Sequence, residues 1–516
     1  RSFKETFVNN LIAKRDAATA GTTQELPMLA GISDKKLMKM IAKAEAQYST
    51  PVNGSDVVCR FNEIMMEKLH HRNLGAQEAV NLLYTYAQYK REASLNPAAP
   101  SWATEVLSDP LLGTFEVNSF AKNFKAFATG EKAIKKTDLG LNFKATDNNK
   151  IEVLSDKEQF WPQLMKDLES AEHSVNINMF GLQGDPWGKE VFDLLIEKAK
   201  KGVKVRVLAD QLGARMHWYF KESNADFIAH LRDNGIDIIL TKDDDFNGNF
   251  HFDHRKFYVI DGKIAHNTGY TIEDHMRKIH FDMSMRVQGD MVNQLQANFF
   301  NSWLYFGGEL NEAKSDFNQF NSEYFPKAGP VGDSTARLVT NIPYVQHRAT
   351  ETYYDAIKAA KTKVRVINEF LSDNELMDII KKKAEEGVEV EIVYPRVCEW
   401  EAYKFVAFDF FDKIKDLPNV NIYLYDGPGN HGWLHTKGII IDDEYVNFGS
   451  NNMDELALYH NYEQNIEMTD KGVAKQANEE IFDYAIKYST PYDEKPTFWR
   501  SFKTFWYKLL KKVIEP

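Results

Sequence analysis

The sequence predicts an α/β protein: two similar α-β-α sandwich halves around a pseudo-twofold axis, preceded by a mainly helical N-terminal region. Three observations carry this reading. The pattern His, one residue, Lys, four residues, Asp occurs twice, as His254-Arg255-Lys256-Phe257-Tyr258-Val259-Ile260-Asp261 and as His435-Thr436-Lys437-Gly438-Ile439-Ile440-Ile441-Asp442. Each copy is preceded by the same succession of strand, helix and strand, with the corners Ala199-Lys200-Lys201-Gly202-Val203 and Ala384-Glu385-Glu386-Gly387-Val388 in matching places. An acid stands 28 residues after each motif histidine, Asp282 after His254 and Glu463 after His435. A single short pattern of this kind arises by chance, most often on a surface strand; two copies in matching frames imply a duplicated unit.

Taken in order, residues 1 to about 92 read as helices, because Phe61, Ile64, Met65, Leu69 and then Ala79, Leu82, Leu83, Tyr86 recur at three- and four-residue spacings. His70 and His71 are neighbours there, pointing about 100° apart on a helix, so they read as separate surface or core histidines and not as a metal pair. Ser94-Leu95-Asn96-Pro97-Ala98-Ala99-Pro100 is a linker or loop by composition. From Trp102 to about Asn149 the pattern is mixed and predicts no role.

The first half begins with a strand at Lys150–Leu154, followed by a helix from Phe160 to Ala171, a strand Ser174–Phe180, a helix Lys189–Lys201 and a strand Val203–Leu208. Its counterpart has the strand Lys363–Phe370, the helix Asn374–Glu386 and the strand Val388–Val393. Strand, helix, strand at this spacing predicts parallel βαβ units, with Gly202 and Gly387 ending the two helices. Asn321–Ser334, with two prolines and two glycines, reads as the connection between halves. The divisions are thus 1–149, a mainly helical region of unknown role; 150–325 and 326–494, the two halves; and 495–516, a C-terminal helix. In each motif the His and Lys alternate along an extended run, which predicts a strand presenting both on one face.

Composition sets outer bounds. With 43% hydrophobic and 27% charged residues in 516, the chain has the makeup of an ordinary globular protein with a sizeable core. Cys59 and Cys398 lie far apart; they form no disulfide framework, and a single long-range bridge and the redox compartment stay open. A net charge of −12 offers no general attraction to nucleic acid, so any phosphate site must be locally basic. No apolar run reaches the roughly eighteen residues of a membrane span. A signal or anchor ahead of Arg1 lies beyond what these residues display. The acidic run Asp243-Asp244-Asp245 lacks the alternating ligand spacing and terminal Glu of a calcium loop and reads as a solvated turn.

The motif residues suit phosphodiester chemistry, which needs a nucleophile, a proton for the leaving alkoxide and positive charge around the phosphate oxygens. An imidazole titrates near roughly 6.5, so one copy can be neutral and the other protonated at neutral pH. Histidine can also carry a covalent intermediate. Lys256 and Lys437 would hold the phosphate oxygens as point charges, with Ser450 and Asn452 as further donors. Asp261 and Asp442 are expected to hold the turn after each strand. Trp218, Trp400, Tyr403 and Trp433 either line a cleft or pack.

The paired motif resembles the phospholipase D superfamily, and the surrounding text resembles its bacterial cardiolipin-synthase branch over roughly residues 150 to 516. Gly449-Ser450-Asn451-Asn452 and Asn461-Tyr462-Glu463 are similar to the family's G-S-x-N and N-x-E elements. The first half departs from it, reading Thr268-Gly269-Tyr270-Thr271, so that Thr271 stands for the motif Asn and Thr268 for the leading Gly. The resemblance implies two phospholipase D-type halves and a phosphohistidine enzyme independent of metals and cofactors. It implies that His254 is the nucleophile and His435 the acid/base, though the residues themselves are symmetric on this point. It also implies that Glu463 orients His254 and Asp282 orients His435 across the halves.

The substrate implied is a phospholipid, either hydrolysed or transferred to an alcohol by a monomer at a bacterial membrane or cell envelope. The alternatives are a phosphodiesterase or nuclease of the same superfamily and a membrane-associated scaffold with a degraded site. The tail adds an independent sign: Phe498, Trp499, Phe502, Phe505, Trp506, Leu509, Leu510, Val513 and Ile514 form one apolar helix face, with Arg500, Lys503, Lys508, Lys511 and Lys512 elsewhere. Such a helix lies in a membrane interface or docks on the protein's own core.

Overall fold

The structure, a computed structural model, describes residues 124–495 apart from 142, 156, 216–223, 242–250, 399–400 and 431. The helices expected before residue 93, His70, His71, Cys59, the 94–100 linker, Trp218, Asp243–Asp245, Trp400 and the tail from residue 496 lie outside the described residues.

The first half supplies β1 (Thr146–Leu154), β2 (Ser174–Met179), β3 (Lys204–Asp210), β4 (Asp237–Thr241), β5 (Phe257–Ile260), β6 (Ile264–Thr268), β7 (His280–Phe281) and β8 (Ser284–Gln288). The second supplies β9 (Ser334–Ile342), β10 (Gln346–His347), β11 (Lys363–Ile367), β12 (Glu389–Pro395), β13 (Val420–Tyr425), β14 (Trp433–Leu434), β15 (Gly438–Ile441), β16 (Tyr445–Gly449), β17 (Glu463–Thr469) and β18 (Ser489–Pro491). From one edge inward the first half runs β4-β3-β2-β5-β6-β8-β1, and from the other, inside the edge strand β18, the second runs β13-β12-β11-β15-β16-β17-β9. The two orders are the same, and β1 meets β9 antiparallel in the middle, with Asn149 opposite Ser334. That palindrome is the twofold relation between halves. β2, β3 and β4 are parallel, as are β11, β12 and β13, which is the βαβ arrangement the sequence predicts.

Each crossover helix forms for local reasons. Helix α1 (Pro186–Lys200) starts with Pro186 behind an Asp185 cap whose carboxylate accepts from the Gly188 N–H at 2.8 Å, and ends before Gly202 at φ 95°. Helix α2 (Asn374–Glu385) starts on Asp373, which accepts from the Leu376 N–H at 2.8 Å, and ends before Gly387 at φ 91°. Only glycine takes that left-handed position without strain, which is why both corners carry it.

Alternation along the strands sorts residues into three cores. Val175, Ile177 and Met179 of β2 face an outer core with Val191, Phe192 and Leu195 of α1. Val364 and Val366 of β11 face the matching outer core with Leu376 and Ile380 of α2. Phe257 and Val259 of β5 join Ile440 of β15 and Phe448 of β16 in a third core shared by both halves. With every apolar face covered, these strands read as nearly continuous apolar runs.

Two expectations are corrected. Asn321–Tyr324 end a helix that begins at Phe317, so the irregular connection is residues 325–333. More consequentially, His254 and Lys256 do not lie on a strand of the main sheet, and neither do His435 and Lys437: β5 begins at Phe257 and β15 at Gly438. The reason is that the motif segments leave their own half and bond to the other. The His254 N–H donates to the Tyr462 carbonyl at 3.0 Å, and the His435 N–H donates to the Phe281 carbonyl at 2.9 Å, beside the parallel pair β7 and β14.

Candidate active site

Because each motif segment crosses over, each histidine meets an acid from the opposite half. His254 Nδ1 lies 2.9 Å from Glu463 Oε1 and 3.2 Å from Oε2. His435 Nδ1 lies 2.6 Å from Asp282 Oδ2. An acid oxygen facing Nδ1 can accept the hydrogen of that nitrogen's tautomer, which leaves Nε2 to face a substrate. The imidazoles are 12% and 13% exposed, so they are reachable only at their tips.

Both lysines are buried, Lys256 donating to the His254 carbonyl at 2.7 Å and Lys437 to the His435 carbonyl. Their charges act on both orienting acids, Glu463 and Asp282, so the two half-sites share one electrostatic environment. Burial dominates in that environment. It holds His254 well below the usual imidazole range, with Lys256 and Lys437 adding to the effect. Burial also lowers the Lys256 ammonium to about 7 and raises Glu463 to about 8 against the pull of Lys256, Ser450, Asn461 and Lys437. A neutral His254 is the state a nucleophile needs.

Ser450, expected to donate to phosphate, donates instead to Glu463 Oε2 at 2.5 Å and to the Gln464 carbonyl at 3.3 Å. It secures the orienting acid. Asn452 is buried, and its Oδ1 has no hydrogen-bond partner among the described residues. Thr271, at the position equivalent to Asn452, is buried with its hydroxyl bonded to Glu273. Gly269 stands opposite Ser450 in the repeat, and a Cβ there would fall 2.1 Å from Asp282 Oδ2. Glycine is therefore required for the shorter aspartate to sit back and still reach His435. Asp261 and Asp442 hold the starts of β2 and β11: Asp261 accepts from the N–H groups of Glu172, His173 and Ser174, and Asp442 from those of Lys361, Thr362 and Lys363. Trp433 packs on His280, whose ring is 5.8 Å from that of His435; Tyr403 stacks on Phe370.

The residue between His254 and Lys256 is one to which sequence reasoning gives no role. Arg255 is fully buried, forks onto both oxygens of Asp253 at 2.8 Å and donates to Asn298 and Ser302. Asp253 in turn bonds through its N–H to Asp210, whose carboxyl burial raises to about 7. This network pins the crossing segment. A charged residue next to a buried run is the signal that could have found it.

Comparison with known proteins identifies the family. The family model described as "Cardiolipin synthase, PLD-like domain" matches residues 164–303 and 353–484, together just over half of the chain. Cardiolipin synthase 1 of Staphylococcus aureus (strain MRSA252) is 28% identical over 382 residues, covering 72% of this chain and 74% of its own. The major cardiolipin synthase ClsA of Bacillus subtilis (strain 168) is 28% identical over 348 residues, 64% of this chain and 68% of its own. Among solved structures, phosphatidylserine synthase of Haemophilus influenzae Rd KW20 matches with a TM-score of 0.55 at 16% identity, covering 70% of this chain and 92% of that one, a likeness of fold. The duplicated sheet, the crossed pairs and the matched family lead to one assignment: this chain belongs to the phospholipase D-like, cardiolipin-synthase family of enzymes.

Proposed function

We propose that the enzyme transfers phosphatidyl groups between alcohols through a phosphohistidine on His254. The observation that carries this is the crossed pairing of each imidazole with an acid of the other half, 2.9 Å at His254 and 2.6 Å at His435. In the first step His254 Nε2 attacks phosphorus, the bond to the leaving oxygen breaks, and His435 gives that oxygen its proton. In the second, His435 takes the proton of an incoming alcohol, whose oxygen displaces His254. Lys256, Lys437 and Asn452 hold the non-bridging oxygens, with Thr271 at the equivalent place in the first half. The relatives' names, cardiolipin synthases, support a phospholipid substrate; on this reading the acceptor is a glycerolipid alcohol, with water as the competing acceptor.

The test is lipid product analysis by mass spectrometry on phosphatidylglycerol vesicles, with and without added glycerol. Diphosphatidyl product that recedes in favour of phosphatidylglycerol as glycerol rises supports transfer; phosphatidic acid alone supports hydrolysis. Turnover of DNA with no lipid product would overturn the reading in favour of a nuclease. Rapid-quench label should be acid-labile and map to the peptide holding His254; label on the His435 peptide would reverse the roles.

No described helix is long and apolar enough to cross a membrane. We propose that the enzyme, acting as a monomer, meets lipid at a bacterial membrane surface through residues 496–516, whose aromatic and five basic residues suit an anionic interface. Chains truncated after Glu494 should lose co-sedimentation with anionic vesicles while melting as the full chain does. A truncated chain that melts much lower and sediments equally well would make the tail a core-docking helix.

A further inference from the structure

The two half-sites differ at one pair of positions that the motifs do not include. Val175 of β2 pairs with Ile260, and Val364 of β11 pairs with Ile441, so the strands share one register relative to the motif aspartates. The isolated bridges Leu182 with Ile272 and Leu371 with Met453 extend that register past the strand ends. Phe180 and Glu369 therefore occupy the same place. The Phe180 ring lies edge-on to His254, 5.0 Å between centroids, with Lys256 Nζ 5.2 Å from its centre. Glu369, 2% exposed, puts Oε2 3.7 Å from His435 Nε2 and 3.8 Å from Lys437 Nζ. One histidine thus has an aromatic ring at its side, and the other has a carboxylate.

We infer that Glu369 is a positioning residue that sets the division of labour, favouring the imidazolium form of His435 and so making it the general acid, while the uncharged ring of Phe180 takes the matching place beside His254. The distances support a charge effect. At 3.7 Å Glu369 does not hydrogen-bond Nε2 and leaves it free to reach the leaving oxygen, yet an opposite charge this close favours the charged form of histidine. His435 then lies between two acids, Asp282 at Nδ1 and Glu369 beside Nε2. Among the described residues, titratable groups also facing it include Lys437 on its own segment and His280 on β7, with Lys256 reaching Asp282 from the opposite half. Behind Glu369 lie Tyr394, whose hydroxyl burial holds protonated with Cys398 and Glu369 adding to the effect, and Asp454.

This inference rests on the two-histidine reading, and the experiment separates the two. E369Q, E369D and H435A are assayed across pH on two substrates: a phospholipid, whose alkoxide needs a proton to leave, and a p-nitrophenyl phosphodiester, whose leaving group needs little. In E369Q the basic limb of kcat/KM for the phospholipid should move down by about one pH unit, a loss of about tenfold above it, with first-step release of nitrophenol within about threefold of wild type. E369D should restore most of the limb. Equal losses on both substrates, or an unmoved limb, would overturn the role of Glu369. Near-wild-type phospholipid turnover in H435A would instead overturn the two-histidine reading. Should E369Q fail to fold, histidine NMR titration of the wild-type chain decides alone: His435 must keep its proton to higher pH than His254, and the reverse order defeats the proposal.

Discussion

The first and second halves share a strand order and a register, yet they furnish the site differently. Where the second half has Ser450 and Glu463, the first has Gly269 and Asp282; where the second has Glu369, the first has Phe180. The longer acid is secured by a serine hydroxyl, and the shorter acid sits in the space a missing side chain leaves. A symmetric sheet can thus bring two equivalent groups together, while the side chains around them make the groups chemically unequal. Catalysis by one nucleophile and one acid needs that inequality.

The strongest way to break the comparison is to remove either imidazole. H254A and H435A should each lower turnover by at least about 10³-fold, and the double variant should be no worse than the singles, because nucleophile and acid act as one unit. Melting temperatures should stay within about 2 °C of wild type, since each imidazole keeps an exposed edge and belongs to none of the three apolar cores. Losses that multiply in the double variant would show that the two act independently.

Making the halves alike is the next test. G269S puts a side chain where Asp282 stands, and pushing that acid off His435 should cost about 10²-fold in kcat. S450G leaves Glu463 in place but removes the hydroxyl that bonds it and the Gln464 backbone, and roughly tenfold is expected. In steady-state assays of the two variants side by side, greater damage from S450G would refute the distinction drawn between the two acids.

The smallest effect concerns stability. Burial raises Glu463 to about 8, against roughly 4.3 in an unfolded chain. Between those values the unfolded state binds fewer protons than the folded one, so stability is full below the lower value and falls as pH rises towards the upper. E463Q removes that loss. Its melting temperature should exceed wild type by about 1–3 °C at pH 8 and match it near pH 4; a difference that does not change with pH would contradict the buried charge.

Much of this arrangement is legible in the order of the amino acids. Val175, Ile177 and Val364, Val366 announce strands because a sheet covered on both faces selects β-branched residues at successive inward positions. The equal offsets of Asp282 and Glu463 mark equivalent places because duplicated units keep their internal spacing. Arg255 is less legible: its buried guanidinium is paired by Asp253, Asn298 and Ser302, and the latter two are 43 and 47 residues away in the chain.

The candidate reacting groups and the kind of fold that holds them are legible in the amino-acid sequence alone, since residue identity, apolar period and repeat spacing are local properties of the chain. Folding in three dimensions settles the rest: that His254 and His435 leave their own sheets, that Ser450 serves Glu463 and that Glu369 stands beside His435. The first of those facts depends on which segments bond across the two halves, as the His254 N–H does to the Tyr462 carbonyl and the His435 N–H to the Phe281 carbonyl, and the other two on pairing of distant segments within the second half. Pairing between distant segments is set by packing and hydrogen-bond satisfaction over the whole molecule, which no local pattern encodes.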